Sequence, residues 1–414
     1  MKVLVIGGGG REHALCWKLA RSPLASALFC SPGNAGIAQV AECLEGEPVE
    51  VARRVQANFV VVGPDDPLAE GVVNRLNEAG FAAFGPTRDG AQIEASKIFC
   101  KNLLRKYNIP SGGFESFDEP EAARKYLQGV PEGPRVVKAD GLALGKGVVV
   151  AASRAEAIEA VETVVQAARG RGQVLVEECL SGPEVSLLAL TDGHDVLPLA
   201  PAQDHKRLGE GDTGPNTGGM GCYSPVPIFG PAAVEHAVEH ILKPTVRALK
   251  SEGITYRGVL YAGLMLTAAG PKVLEFNCRF GDPETQALLP RLQSDLLPLL
   301  LACAGRDFRL SDVELSWSDE AAVTIVMAAQ DYPATPRRGD EIFGLEEAQR
   351  DGALVFHAGT KREGARIVTS GGRVLGVTAL GAGLSQARDK ALQAVGKIRF
   401  EGAHWRRDIG PRPL

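Results

Sequence analysis

The chain has 414 residues, too many for one ordinary hydrophobic core, so about two to four domains are expected. Its hydrophobic content of 45% fits a globular protein, and a net charge of −5 with no long basic run gives no electrostatic case for nucleic acid or a membrane as partner. The eight cysteines stand singly, with no C-x-x-C pair, and the apolar N-terminus is too short for a signal peptide or a span, so a cytoplasmic protein with reduced thiols is expected.

Lys2–Ile6 reads as a buried strand, Gly7–Gly10 as a turn and Arg11–Leu19 as a helix. Strand, glycine turn and helix N-terminus together favour an anion. A dinucleotide fits poorly: Glu12 stands where the third glycine of G-x-G-x-x-G would fall, and the strand Ala27–Cys30 runs into Ser31-Pro-Gly with no acid for a ribose. A mononucleotide-sized or sugar-phosphate ligand suits the turn better. Phe59–Val62 and Phe81–Phe84 read as further strands around a helix from about Leu68 to Leu76, and this alternation implies a parallel sheet. Asp65 and Asp66, after Phe59–Val62, suit either sugar hydroxyls or a helix cap. A single helix is expected from Gly90 to Tyr107, with Lys101 and Lys106 on its surface.

Arg135–Ala151 reads as two strands around a loop holding Lys138, Gly141, Gly145, Lys146 and Gly147. It is no Walker loop, because glycine follows the lysine and the next segment is a strand. A hairpin closing over polyphosphate is the natural reading. After a helix at Ala155–Ala168, two strands from Val174 to Leu190 meet through an acidic bend. Such a crossing can hold a purine ring, with a carboxylate on the ribose, or can be plain strands with exposed acids. Gln203–Arg207 and Asp212–Gly221 form a long polar, glycine-rich stretch, which points to function; His205 alone reads as a structural histidine.

The strand Val259–Leu266 carries no acid between Leu260 and Thr267. In the next strand Val273, Glu275 and Asn277 are expected on one face, with Leu274 and Phe276 on the other. A carboxylate and an amide oxygen one pleat apart suit Mg²⁺, which fills its shell with water and substrate phosphates. Arg279 follows as a fixed cation with a planar fork; the plainer reading is a solvated Glu275 with Arg279 as its ion-pair partner. From about Ser316 a small α+β domain is expected, with a Gly371-Gly372 hairpin joining Arg366–Thr369 to Arg373–Leu380, a helix capped by Ser385, and little chemistry of its own.

Taken in order from Met1 to about Gly410, the chain resembles the phosphoribosylamine–glycine ligase (glycinamide ribonucleotide synthetase) family of ATP-grasp enzymes. The resemblance is carried by GGREHAL (Gly9–Leu15), PGNAG (Pro32–Gly36), KADGLALGKGV (Lys138–Val148), QDHKR (Gln203–Arg207), DTGPNTGGMG (Asp212–Gly221), EFNCRFGDPETQ (Glu275–Gln286), FHAGTK (Phe356–Lys361) and RDIG (Arg407–Gly410). It implies an α/β and α+β multidomain chain. A parallel α/β, Rossmann-like domain would cover 1–92 and bind substrate. An ATP-grasp domain would cover 93–315, with a small mobile subdomain at about 111–181, and a small α+β domain 316–414. It also implies ligation of glycine to 5-phosphoribosylamine with ATP and Mg²⁺, Mn²⁺ being an alternative, by a monomer. Lys97, Lys138 and Lys146 would face phosphate, with Gly141, Gly145 and Gly147 in the flap. Glu177, Glu178 and Leu180 would form the adenine hinge and Glu184 would hold the ribose. Glu275 and Asn277 would hold the metal. Gly9, Gly10, Arg11, Asp65, Asp204, His205, Lys206, Asn216, Thr217, Gly218, Arg279, Asp282 and Pro283 would contact substrate, with Arg279, Lys146 and Asn216 catalytic. The chain departs from the family at Gly8, Asp65, Cys179 and Pro183 and in the short Arg169–Gly172 segment. The nearest rival is an ATP-grasp ligase for bicarbonate or another amine; a nicotinamide dehydrogenase and a non-catalytic nucleotide sensor fit less well.

Overall fold

Val3, Leu4, Val5 and Ile6 are all buried, and alternate members enter two different cores: Leu4 and Ile6 one, Val3 and Val5 the other. This two-sided burial is what a central parallel strand requires. Lys2–Gly7 lies between Ala27–Pro32 and Phe59–Val62 in a five-stranded parallel sheet edged by Glu42–Cys43 and Ala82–Phe84. The strand order reverses at Lys2–Gly7, so a crevice opens beyond its carboxyl end, where the glycine turn and the Asp65 loop emerge. The computed structural model describes residues 1–141, 147–167 and 173–411. Among them no helix is long and apolar enough to cross a membrane.

An antiparallel sheet of Val196–Pro198, Glu184–Thr191, Gly258–Thr267 and Gly270–Asn277 forms a second layer. One face packs Val185, Leu187, Ala189, Leu260, Ala262 and Leu264 into the first core. The other packs Leu188, Leu190 and Val259 into the second core and leaves Ser186, Glu275 and Asn277 outside it. A third sheet, Phe114–Phe117, Val174–Glu178, Arg135–Ala139 and Val148–Ala151, has its own core under the helices Pro120–Gly129 and Arg154–Ala167. Residues 179–183 cross from this small subdomain to the antiparallel sheet, so the two strands around the acidic bend belong to different sheets. The last sheet runs Gln203–Asp204, Gly221–Ser224, Ala321–Ala328, Arg373–Gly381, Leu354–His357. Strands from the 203–224 stretch thus join those of the C-terminal region.

Several local expectations need correction. The helix expected from Gly90 to Tyr107 is two, Arg88–Ala95 and Lys97–Lys106, because Ser96 turns extended (φ −128°, ψ 111°) and its hydroxyl caps Phe99 N; a serine satisfying first-turn amides is a good place to start a new helix. The helix at Leu68–Leu76 is likewise split at Gly71, whose φ is +78°. No hairpin joins Arg366–Thr369 to Arg373–Gly381. The first pairs with Thr360–Glu363, the second with Ala321–Ala328 and Leu354–His357. Gly371 instead packs backbone to backbone on Gly359, where an added Cβ would lie 2.5 Å from Gly371 Cα. Gly383, not Ser385, precedes the helix Leu384–Val395. Lys101 is not on the surface: it is buried and ion-paired.

Candidate active site

The parallel sheet, the antiparallel sheet, the small subdomain and the C-terminal region surround one cleft of about 1890 Å³. Its floor is the polar end of the antiparallel sheet. Directly opposed residues share a face in such a ladder. Ser186, Gly263 and Glu275 form one row there, and Leu188, Tyr261 and Asn277 the next. Glu275 and Asn277 therefore point into the cleft together. Val273 does not share their face, contrary to the simple alternation. Leu264 pairs with Val273 and Gly263 with Glu275, which leaves Leu274 as the extra residue of a β-bulge. Val273 turns into the core with Phe276, while Leu274 lines the cleft.

Among the described residues four cations act on Glu275. Depth in the cleft alone would raise its carboxyl, but Lys206, Lys138, Lys97 and Arg279 outweigh this and hold it below the ordinary carboxylate value. Lys97 opens its helix and donates to Gly141 O at 2.6 Å; burial lowers its ammonium, with Glu275 opposing. Asp140 accepts from Ser96 Oγ and from Ile98 N at 3.1 Å, tying the hairpin root to that helix start. Lys206 pairs with Glu184 at 2.7 Å. Arg279 Nη2 meets Glu94 Oε1 at 2.9 Å and donates to Asn277 Oδ1 at 3.2 Å. Glu94 Oε2 in turn accepts from Cys278 N at 2.7 Å, so one buried carboxylate fixes both Arg279 and the peptide after Asn277. The Glu275 and Asn277 oxygens suit a hard cation. Among the described residues no group of three or more His, Cys, Asp or Glu could hold a metal, so such an ion would complete its shell from water and phosphate.

Asp204 also lines the cleft. Burial first, then Glu284, Glu184 and Glu275 against the opposing Lys206, push its carboxyl up to about 7. A raised carboxyl favours the neutral form in the folded chain. Its contribution to stability is full below the ordinary 3.8 and is lost as pH rises toward 7. Asp204→Asn is expected to flatten this dependence. Thermal unfolding at about pH 5 and about pH 8 should show a larger fall for the parent than for the variant, and parallel curves would contradict it.

The N-terminal turn is organised around a carboxylate of its own. Glu12, 2% exposed, accepts from Gly9 N at 2.7 Å and pairs with Arg11 Nε at 2.6 Å. A Cβ at Gly7 would lie 2.5 Å from Glu12 Cγ, so Gly7 leaves room for this acid. Arg11 also donates to Phe280 O, and its N–H to Asp282 Oδ2 at 3.4 Å. Gly10 is buried against Gln286. Of this turn, Arg11 borders the cleft, as does Asp65 across from it.

At the hinge Leu180, Cys179 and Glu178 line the cleft, with Glu178 Oε2 accepting from Gly113 N at 3.1 Å. The Glu177 side chain turns inward, to Lys101 and Lys138 at 2.8 Å each. His205 is buried with its ring centroid 6.0 Å from that of Tyr223. Thr217 N donates to Lys206 O at 2.7 Å, and Asn216 and Gly218 lie on the rim. Asp282, between Arg373, Arg11 N and Gln286, lines the cleft; Pro283 packs under Gly219. Gly147 borders the cleft, whereas Gly145, Lys146 and the Arg169–Gly172 segment lie outside the described residues.

Other cleft residues were not singled out from the sequence. Arg373 of the C-terminal region donates to Gly218 O and Asp282 O, and Tyr332 OH accepts from Gly218 N at 3.0 Å. Arg338 lines the same wall. That region therefore takes part in the site, against the expectation that it carries little chemistry. Glu284, 2% exposed, accepts from Tyr261 OH at 2.6 Å on the cleft side. Glu284 stands inside EFNCRFGDPETQ, a signal available from the start.

Family models of phosphoribosylglycinamide synthetase match the chain in three parts: the N domain over residues 1–94, the ATP-grasp (A) domain over 95–285 and the C domain over 322–412. A phosphoribosylamine–glycine ligase of Synechocystis sp. is 50% identical over 423 aligned residues, with 100% of each chain covered. The crystal structure of phosphoribosylamine–glycine ligase from Thermotoga maritima is similar at TM-score 0.88 and 34% identity, covering 99% of this chain and 100% of that one. A biotin carboxylase of Campylobacter jejuni shares the fold at TM-score 0.72, with 13% identity over 98% of this chain and 93% of its own.

Proposed function

The chain belongs to the phosphoribosylglycinamide synthetase family of ATP-grasp ligases, and from that premise we propose that it joins glycine to 5-phosphoribosylamine, forming glycinamide ribonucleotide, ADP and phosphate in purine nucleotide synthesis. The observation that carries this reading is the pair Glu275 and Asn277 on the cleft floor, with Lys97, Lys138, Lys206 and Arg279 around Glu275. A carboxylate is a poor electrophile, because its leaving group would be oxide. The γ-phosphoryl of ATP therefore passes to a glycine carboxylate oxygen, the bond to ADP breaks, and glycyl phosphate forms. The amine nitrogen of phosphoribosylamine then bonds to the carbonyl carbon, phosphate leaves, and one amine proton is released.

Phosphoryl transfer depends on positioning and charge neutralisation more than on covalent catalysis. Glu275 and Asn277 would hold Mg²⁺ or Mn²⁺, which when bound neutralises phosphate charge. Lys97 and Lys138, together with Lys146, would neutralise the phosphates, and the flap carrying Gly141, Gly145 and Gly147 would keep water from the acyl phosphate. Residues 177–180 read the adenine through backbone and apolar contact, and Glu184 takes the ribose. Arg279 orients the glycine carboxylate, with Asn216, Thr217, Gly218, Asp204, His205 and Lys206 bordering the reacting groups. Gly9, Gly10, Arg11, Asp65, Asp282 and Pro283 surround phosphoribosylamine. The functional units are 1–92, 93–315 and 316–414, and the enzyme works as a cytoplasmic monomer. A coupled ADP assay with glycine and freshly made phosphoribosylamine, each omitted in turn, tests the reading. ADP release that needs both supports it. Release that needs bicarbonate instead, or none at all, overturns it.

A further inference from the structure

Three charged side chains meet beside the cleft in a region almost closed to water. Lys101, Glu177 and Lys138 are 3%, 4% and 7% exposed. Lys101 Nζ lies 2.8 Å from Glu177 Oε2, and Lys138 Nζ 2.8 Å from Glu177 Oε1. Lys101 Nζ and Glu177 Oε1 have no partner in hydrogen-bond alignment, so charge more than directed bonding holds the three together. Glu177 and Lys138 stand on neighbouring strands of the small subdomain. Lys101 stands on the helix Lys97–Lys106, whose Cys100, Leu103 and Leu104 belong to the same core as Val273 and Phe276 beneath the cleft floor. The contact thus crosses from one body to the other.

Within this triad two lysines on one carboxylate leave one positive charge in excess, and the next acid acting on Lys138 is Glu275 of the cleft floor. A buried surplus charge is costly by itself, since little water is available to screen it. A charge of that kind is stabilised by an incoming anion. Both lysines line the cleft, and the Lys101 ammonium is turned to Glu177.

We propose that Lys101 is a positioning residue for the nucleotide's phosphate chain: it matches the second oxygen of Glu177, so that the charge of Lys138 is left uncompensated for polyphosphate. The inference rests on the nucleotide reading of the cleft. It makes the effect of Lys101 depend on phosphate charge, although Lys101 need not touch phosphate. In Lys101→Met the remaining Lys138–Glu177 pair is neutral. In the double variant Lys101→Met/Glu177→Gln the single charge of Lys138 is restored. A variant that merely loosened the subdomain would weaken adenosine and ADP alike, and the second substitution would not repair it.

The test is calorimetric titration of the full chain with adenosine, ADP with Mg²⁺, and a non-hydrolysable ATP analogue with Mg²⁺. Lys101→Met is expected to weaken the two phosphate ligands about tenfold, the effect of one charge roughly 10 Å away at an effective dielectric constant of about 20. Adenosine affinity should stay unchanged, and the double variant should recover phosphate affinity. Equal loss for adenosine and ADP, or a double variant as weak as Lys101→Met, overturns the proposal. A parent chain that binds none of the three ligands overturns the nucleotide reading itself.

Discussion

Arg279→Ala is expected to lower turnover by on the order of 10²- to 10³-fold, the range for loss of one preorganised donor to developing charge. The geometry also predicts a second effect. Arg279 is the ion-pair partner of Glu94, a carboxyl that burial already pushes up. Removing one member of a buried pair typically costs about 3–5 kcal/mol, because the other is left uncompensated. The alanine variant should therefore unfold at a lower temperature as well as turn over slowly. Arg279→Met/Glu94→Gln removes both charges and is expected to regain most of the stability while remaining slow. Steady-state rates and thermal midpoints of parent, single and double variants separate the two roles. A single variant within a few-fold of the parent in rate would remove Arg279 from the mechanism.

Glu275→Gln is expected to reduce turnover by about 10³-fold, since a bound cation supplies several kcal/mol of transition-state charge stabilisation. The amide keeps the shape of the side chain but loses its charge beside Lys206, Lys138, Lys97 and Arg279. Mn²⁺ binding in the presence of an ATP analogue, followed by electron paramagnetic resonance, should weaken in parallel. The chain without ligands carries an independent sign. The Glu275 carboxyl is held below its ordinary 4.5, so it contributes stability above that pH and loses it as pH falls through its folded value. The parent should be more stable than the variant at neutral pH, and the gap should close in acid. An unchanged Mn²⁺ affinity would contradict the assignment of Glu275 as a ligand.

Much of the frame was legible because burial writes directly into residue type. The apolar run Lys2–Ile6, the alternation of strands with helices, and the strand–glycine–strand pattern at Arg135–Ala151 all reappear as a parallel sheet and a hairpin root. Glu275, Asn277 and Arg279 were legible because they stand within five residues of one another on one strand and its exit. What escaped depends on partners distant in sequence. Lys101 looks like any helix-surface lysine until the strand bearing Glu177 is folded against it. Glu94 and Arg279 are 185 residues apart, and nothing local to Glu94 announces the pair. The bulge at Leu274 cannot be seen in a pattern of alternation, because the extra residue is itself apolar. Arg373 reaches the cleft only because strands from the 203–224 stretch join the C-terminal sheet.

The most direct test is a crystal structure of the chain with Mg²⁺, glycine and a non-hydrolysable ATP analogue. The triphosphate is expected over the polar half of the antiparallel sheet, where Glu275 and Asn277 would hold the metal, with the glycine carboxylate between the terminal phosphate and Arg279. A nucleotide bound elsewhere, with those two side chains making no contact to metal, would contradict this placement.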